Sequence, residues 1–110
     1  MSKTPEGAVK AKCVAQLKAL GAYYFFPIGG MYTSSGVPDI IVCYKGLFIG
    51  IECKAGKNKP TPLQEKNLAD IHRTGGLPLV INETNVSMLM QWIEEHVQRF
   101  GGFRPHHDAL

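Results

Sequence analysis

The period of the apolar positions changes along the chain. Over the first twenty residues it is helical: Val9, Cys13, Leu17 and Leu20 fall on one side of a 3.6-residue repeat. Thr4-Pro5 supplies an N-cap with proline at the first helical position, and Gly21 supplies a stop. Ala22–Ile28 is aromatic and β-prone, so it predicts a strand. Two short runs, 40–44 and 47–51, then flank Lys45-Gly46. They predict a hairpin, because Gly46 can take the positive φ of a tight turn. Thr61-Pro62-Leu63-Gln64 opens a second helix with the pattern of a capping box, and Gly75-Gly76 closes it. Leu77–Asn82 is a continuous apolar run, predicting a strand buried on both faces, reached by a crossover. Thr84 or Asn85 caps a last helix with a stripe of Val86, Leu89, Met90, Ile93 and Val97. Trp92 and Met88 fall off that stripe and predict a small exposed apolar patch of the kind found at subunit interfaces.

The predicted order is helix, three strands, helix, strand, helix. That is an α/β fold with a mixed sheet flanked by helices. One domain spans residues 1–100. Residues 101–110, with His106-His107 and no partner ligands, read as a loose tail.

The hairpin carries the candidate chemistry. With the turn centred between Lys45 and Gly46, Tyr44 faces Leu47, Ile41 faces Gly50 and Asp39 faces Glu52. Lys54 points to the same face as Glu52, two residues on. A three-residue loop would slip this pairing and separate the acids. Opposed like charges destabilise a sheet, so a pair kept there calls for a cation between them. Two carboxylates with room for water suit a hard ion, Mg²⁺ or Mn²⁺. A lysine beside the ion can activate a water or neutralise charge developing on a phosphate.

Around this core stand residues with two readings each. Glu6 is either a first-turn acid favoured by the helix dipole or a third acid for the metal. Gln64 either completes the capping box or reaches a water or phosphate at the metal. The loop Gly29–Gly36, with Ser34 and Ser35, either connects strands or offers amides and hydroxyls to phosphates. Lys57 and Lys59 either belong to a solvated loop or contact phosphates in a salt-dependent way.

Composition adds bounds. The chain has 110 residues, 45% of them hydrophobic and 19% charged, as in an ordinary globular domain. A net charge of +3 is compatible with a polyanionic partner without requiring one. Cys13, Cys43 and Cys53 have neither zinc spacing nor a disulfide framework; as reduced, buried thiols they point to an intracellular chain. No apolar run is long enough to span a membrane, and no signal peptide opens the chain.

Gly36-Val37-Pro38-Asp39 followed by Ile51-Glu52-Cys53-Lys54 resembles the PD-(D/E)XK nuclease signature. With Gly21-Ala22-Tyr23-Tyr24, Ala55-Gly56, Thr61-Pro62-Leu63-Gln64 and Gly75-Gly76, the chain is similar to the virus-type replication-repair nuclease (VRR-NUC) domains, especially the stand-alone kind found in phages. The resemblance runs from about Glu6 to Asn82. It implies a restriction-endonuclease-like fold and a Mg²⁺- or Mn²⁺-dependent DNA endonuclease. Asp39, Glu52 and the main-chain carbonyl of Cys53 would hold the metal, with Lys54 catalytic. Glu6 would match an acid of the first helix, and Gln64 the glutamine of the helix after the motif. It further implies a homodimer acting on branched DNA, as in Holliday-junction resolvases, inside a bacterial host. The reading from another class is a nucleic-acid-binding module of the same fold without chemistry.

Overall fold

A computed structural model describes residues 4–28 and 36–100. The first helix, α1 (Pro5–Leu20), is capped by Thr4, whose hydroxyl accepts from the Gly7 amide, and ends on Gly21 at φ 75°. Strands β1 (Tyr23–Phe25), β2 (Ile40–Tyr44) and β3 (Leu47–Cys53) follow, then α2 (Pro62–Arg73), β4 (Leu77–Ile81), a 3₁₀ turn (Val86–Met88) and α3 (Leu89–Phe100). The sheet order is β1-β2-β3-β4. The first two pairings are antiparallel; β3 and β4 are parallel, with α2 as the crossover.

The hairpin register is the one expected from the turn: Tyr44 pairs with Leu47, Ile41 with Gly50 and Ile40 with Ile51. Both central turn residues have positive φ, Lys45 at 51° and Gly46 at 82°. Positive φ at both positions is the type I′ pattern, whose twist matches that of the flanking strands.

Alternation sorts the sheet into two faces. Val42, Tyr44, Ile40, Ile49, Ile51 and Cys53 join Val9, Cys13 and Leu17 of α1 and Leu89 and Ile93 of α3 in one core. The opposite face receives α2, which packs on β3 and β4. Gly50 makes that packing possible: a Cβ there would lie 2.5 Å from Ile71 Cδ1 and 3.0 Å from Pro38 Cγ. On this second face the β1–β2 half and Phe48 are left exposed.

Several expectations need correction. β1 holds three residues rather than the span 22–28, in keeping with Pro27, whose missing N–H cannot serve a ladder. β4 is an edge strand with Val80 exposed, not a strand buried on both faces. Pro78 is tolerated there because an edge strand has one side free of pairing. Val86 belongs to the 3₁₀ turn, and Asn85 makes no side-chain cap to it. Instead, Asn85 Oδ1 accepts from the Asn82 amide and Asn82 Oδ1 accepts from the Thr84 amide, which folds the turn before it. Trp92 and Met88 are half-buried rather than exposed; Trp92 packs against the core and lines a groove with Leu77, Leu79, His96, Arg99 and Phe100. Cys43 is exposed, unlike Cys13 and Cys53. Residues 29–35, including Ser34 and Ser35, and the tail 101–110 lie outside the described residues.

Candidate active site

The site lies at the open end of the hairpin, on the α2 face of the sheet. Asp39 immediately precedes β2. Its position is set by the two motif residues before it. Gly36 sits at φ 83°, so close to α2 that a Cβ would lie 2.6 Å from the Leu63 carbonyl carbon. Pro38 is buried against Gly50. Held this way, Asp39 takes a hydrogen bond from the Cys53 amide to Oδ2 at 2.8 Å.

Glu52 is the one buried charged residue among those described, 2% exposed. Its Oε2 lies 3.7 Å from Lys54 Nζ, and the Lys54 side chain is itself only 11% exposed. Its Oε1 is buried with no hydrogen-bond partner. Burial pushes the Glu52 carboxyl up to about 7; the negative charge of Asp39 adds to this, and Lys54 partly offsets it. A hydrogen bond with Asp39 and the charge of Glu6 contribute further in the same upward direction. Beneath the motif, the Cys53 thiol hydrogen-bonds that of Cys13; this contact, with burial, raises Cys53, while it lowers Cys13.

An orphaned, buried carboxylate oxygen is costly and needs an explanation. A divalent cation fits: it would satisfy Oε1 and remove the repulsion between Glu52 and Asp39. Among the described residues no three His, Cys, Asp or Glu side chains converge on one point. Glu6 therefore acts on Glu52 through charge without being assembled into the pair. Magnesium commonly uses one or two carboxylates and keeps several waters, so two acids are a sufficient side-chain set.

The other candidates fall into place around this centre. Gln64 Oε1 accepts from the Thr61 amide at 2.9 Å and Thr61 Oγ1 accepts from the Gln64 amide, so of its two readings the capping box is the arrangement adopted. Lys57 and Lys59 are exposed on the loop after Lys54. One contact had no signal in the sequence. Glu83 accepts the Gly56 amide on both carboxylate oxygens, at 2.6 and 3.0 Å.

A four-stranded mixed sheet with an Asp, a buried Glu and a Lys at the end of its central hairpin has the arrangement expected of the PD-(D/E)XK class. No protein-family model matches the chain. A protein named "Putative nuclease p44", from Acyrthosiphon pisum secondary endosymbiont phage 1, is 31% identical over 88 residues, spanning 77% of this chain and 90% of that protein. Two solved structures share the fold at 20% identity. One, titled "VRR_NUC domain", has a TM-score of 0.61 over 88% of this chain and 98% of its own. The other, "VRR_NUC domain protein", has 0.63 over 94% and 95%. The chain belongs to the family of that phage nuclease and has the fold of the VRR-NUC domains.

Proposed function

We propose that this protein is a Mg²⁺- or Mn²⁺-dependent endonuclease that hydrolyses phosphodiester bonds in DNA, with branched or four-way-junction DNA as its substrate. The observation that carries the reading is Glu52: a fully buried carboxylate with an orphaned oxygen, an aspartate beside it and an ammonium at 3.7 Å. Asp39, Glu52 and the carbonyl of Cys53 would hold the cation. Once bound, the cation supplies Lewis acidity toward the scissile phosphate and lowers the pKa of a water.

The remaining work belongs to the chain. Glu52 gives up its proton near neutral pH and so becomes available as a ligand. Asp39 stays anchored to the Cys53 amide, which fixes one acid relative to the strand that carries the other. Lys54 orients the attacking water and neutralises charge gathering on the phosphate. Lys57 and Lys59 meet flanking phosphates. The phage relative and the thiols free of disulfides support action inside a bacterial host cell.

A homodimer completes this reading, since a two-fold pair of sites matches a substrate with two strands to cut. Its support is the open half of the α2 face. Tyr23, Cys43 and Phe48 lie in register across three strands, with Phe25 and Ile41 in the next row. None is charged. Tyr23 is 71% exposed and Phe25 and Phe48 each 47%. At roughly 200 Å² per ring, these three leave about 330 Å² of apolar surface open. The apolar share of a standard interface is about 450 Å² per partner.

The test is a cleavage panel. Labelled four-way junction, duplex and single strand are incubated with and without Mg²⁺ or Mn²⁺. Metal-dependent product, greatest on the junction, is expected. Lys54→Ala should abolish it while leaving DNA binding largely intact. A gel shift that never yields product would favour the binding module, and full activity in Lys54→Ala would reject the residue assignment.

A further inference from the structure

We propose that Glu83 is a positioning residue for Lys54: its carboxylate extends the β3–β4 ladder past the last carbonyl that the backbone provides. The parallel ladder pairs Cys53 with Ile81, and its next bond runs from the Lys54 amide to the Ile81 carbonyl at 2.9 Å. The following bond of a parallel ladder would run from Gly56 to the main chain of residue 83. Here β4 has already ended at Ile81 and the chain turns away at Asn82–Asn85. The Glu83 side chain supplies the acceptor instead, with Oε1 at 2.6 Å and Oε2 at 3.0 Å from the Gly56 nitrogen.

This gives the backbone around Lys54 two fixed points, one at its own amide and one two residues later. At the second of them Gly56 takes φ 60°, a conformation that costs little only for glycine, and the Asn58 amide donates to the Ala55 carbonyl at 3.2 Å, closing a turn around it. Without the carboxylate, the chain would be free immediately after Lys54, at the start of the exposed basic loop 56–59. A lysine carries four rotatable stem bonds, so the direction of its ammonium depends on a fixed backbone behind it. The clasp is a charge-assisted bond from an amide, and either oxygen can serve it. It joins the segment that follows β3 and bears the ammonium to the segment after β4, far from it in sequence.

The hold on Gly56 stands on geometry alone; the consequence for cleavage rests on the nuclease reading. Two measurements keep them apart. The first is made on the metal-free full chain without DNA: amide hydrogen exchange at Gly56 and NMR order of the Lys54 Cε. In Glu83→Ala, Gly56 should exchange about tenfold faster, the low end for a hydrogen bond to a charged group, and the Lys54 stem should lose order. Ile51 should be unchanged. Glu83→Gln, which keeps an acceptor oxygen, should recover most of the protection. The second is cleavage of the junction: kcat should fall about tenfold in Glu83→Ala with KM little altered, and Glu83→Gln should restore most of it. Unchanged exchange and Lys54 order in Glu83→Ala would overturn the proposal, as would a change confined to KM. If the parent chain does not cleave, the nuclease reading fails, and the first measurement alone decides this one.

Discussion

Replacing Glu52 by glutamine should make the metal-free protein more stable at pH 8 and remove most of a pH dependence that the parent shows below neutrality. The carboxyl is 2% exposed and is raised from 4.5 to about 7 by burial first and by Asp39 second. The native state therefore holds this proton more tightly than the unfolded chain does. Below pH 4.5 the contribution of the protonated group is fully present; it is lost as pH rises through 7. At 1.36 kcal/mol per pKa unit, the loss is about 3 kcal/mol, a large part of a small domain's stability. Glutamine has nearly the same shape and no charge to desolvate. The assay is urea denaturation of both chains from pH 4 to 8 in the presence of a chelator. The curves should converge at low pH and separate by about 3 kcal/mol at pH 8, with the variant above. Mg²⁺ should then raise the parent and leave the variant unmoved. Parallel curves, or a parent that gains stability relative to the variant between pH 5 and 7, would refute the argument that burial dominates at Glu52.

Gly36→Ala should destabilise by about 2 kcal/mol or more, because φ 83° and a Cβ 2.6 Å from Leu63 are both unfavourable; denaturant unfolding close to that of the parent would contradict this contact. Gln64→Ala should cost roughly 0.5–1 kcal/mol through loss of the capping box, with junction cleavage unchanged; a large fall in kcat at equal stability would instead give Gln64 a part in the chemistry. Asp39→Asn should weaken Mg²⁺ binding by calorimetry, and an unchanged titration would remove Asp39 from the ligand set. Phe48→Glu should shift the solution mass from two copies of the 12.1 kDa chain to one; a parent that is already single at high concentration would exclude the dimer.

The hairpin was legible because two independent signals agree there. The Lys45-Gly46 turn sets the register, and the period of two then decides which side chains share a face. The proximity of Asp39 and Glu52 follows from those two facts. The α1 cap at Thr4, the stop at Gly21 and the capping box at Thr61 are local chemistry and could be read from a few residues. What was not legible depended on neighbours far along the chain. The exposure of Val80 follows from β4 being the last strand, which no local pattern states. The half-burial of Trp92 follows from the groove it shares with Leu77 and Leu79. Glu83 looks like an ordinary loop acid until Gly56 is seen beside it.

The groups proposed for the reaction, Asp39, Glu52 and Lys54, all come from residues 39–54, a single ribbon closed by a two-residue turn. Such a ribbon has low contact order, so it can form before the helices dock. Its internal alignment does not depend on the lengths of the segments outside it. Insertions ahead of Gly36 or after α2, and the loss or replacement of α3, could accumulate over evolutionary time without re-indexing the acids against the amine. Relatives of very different overall length could therefore carry the same chemistry on a transplantable cassette.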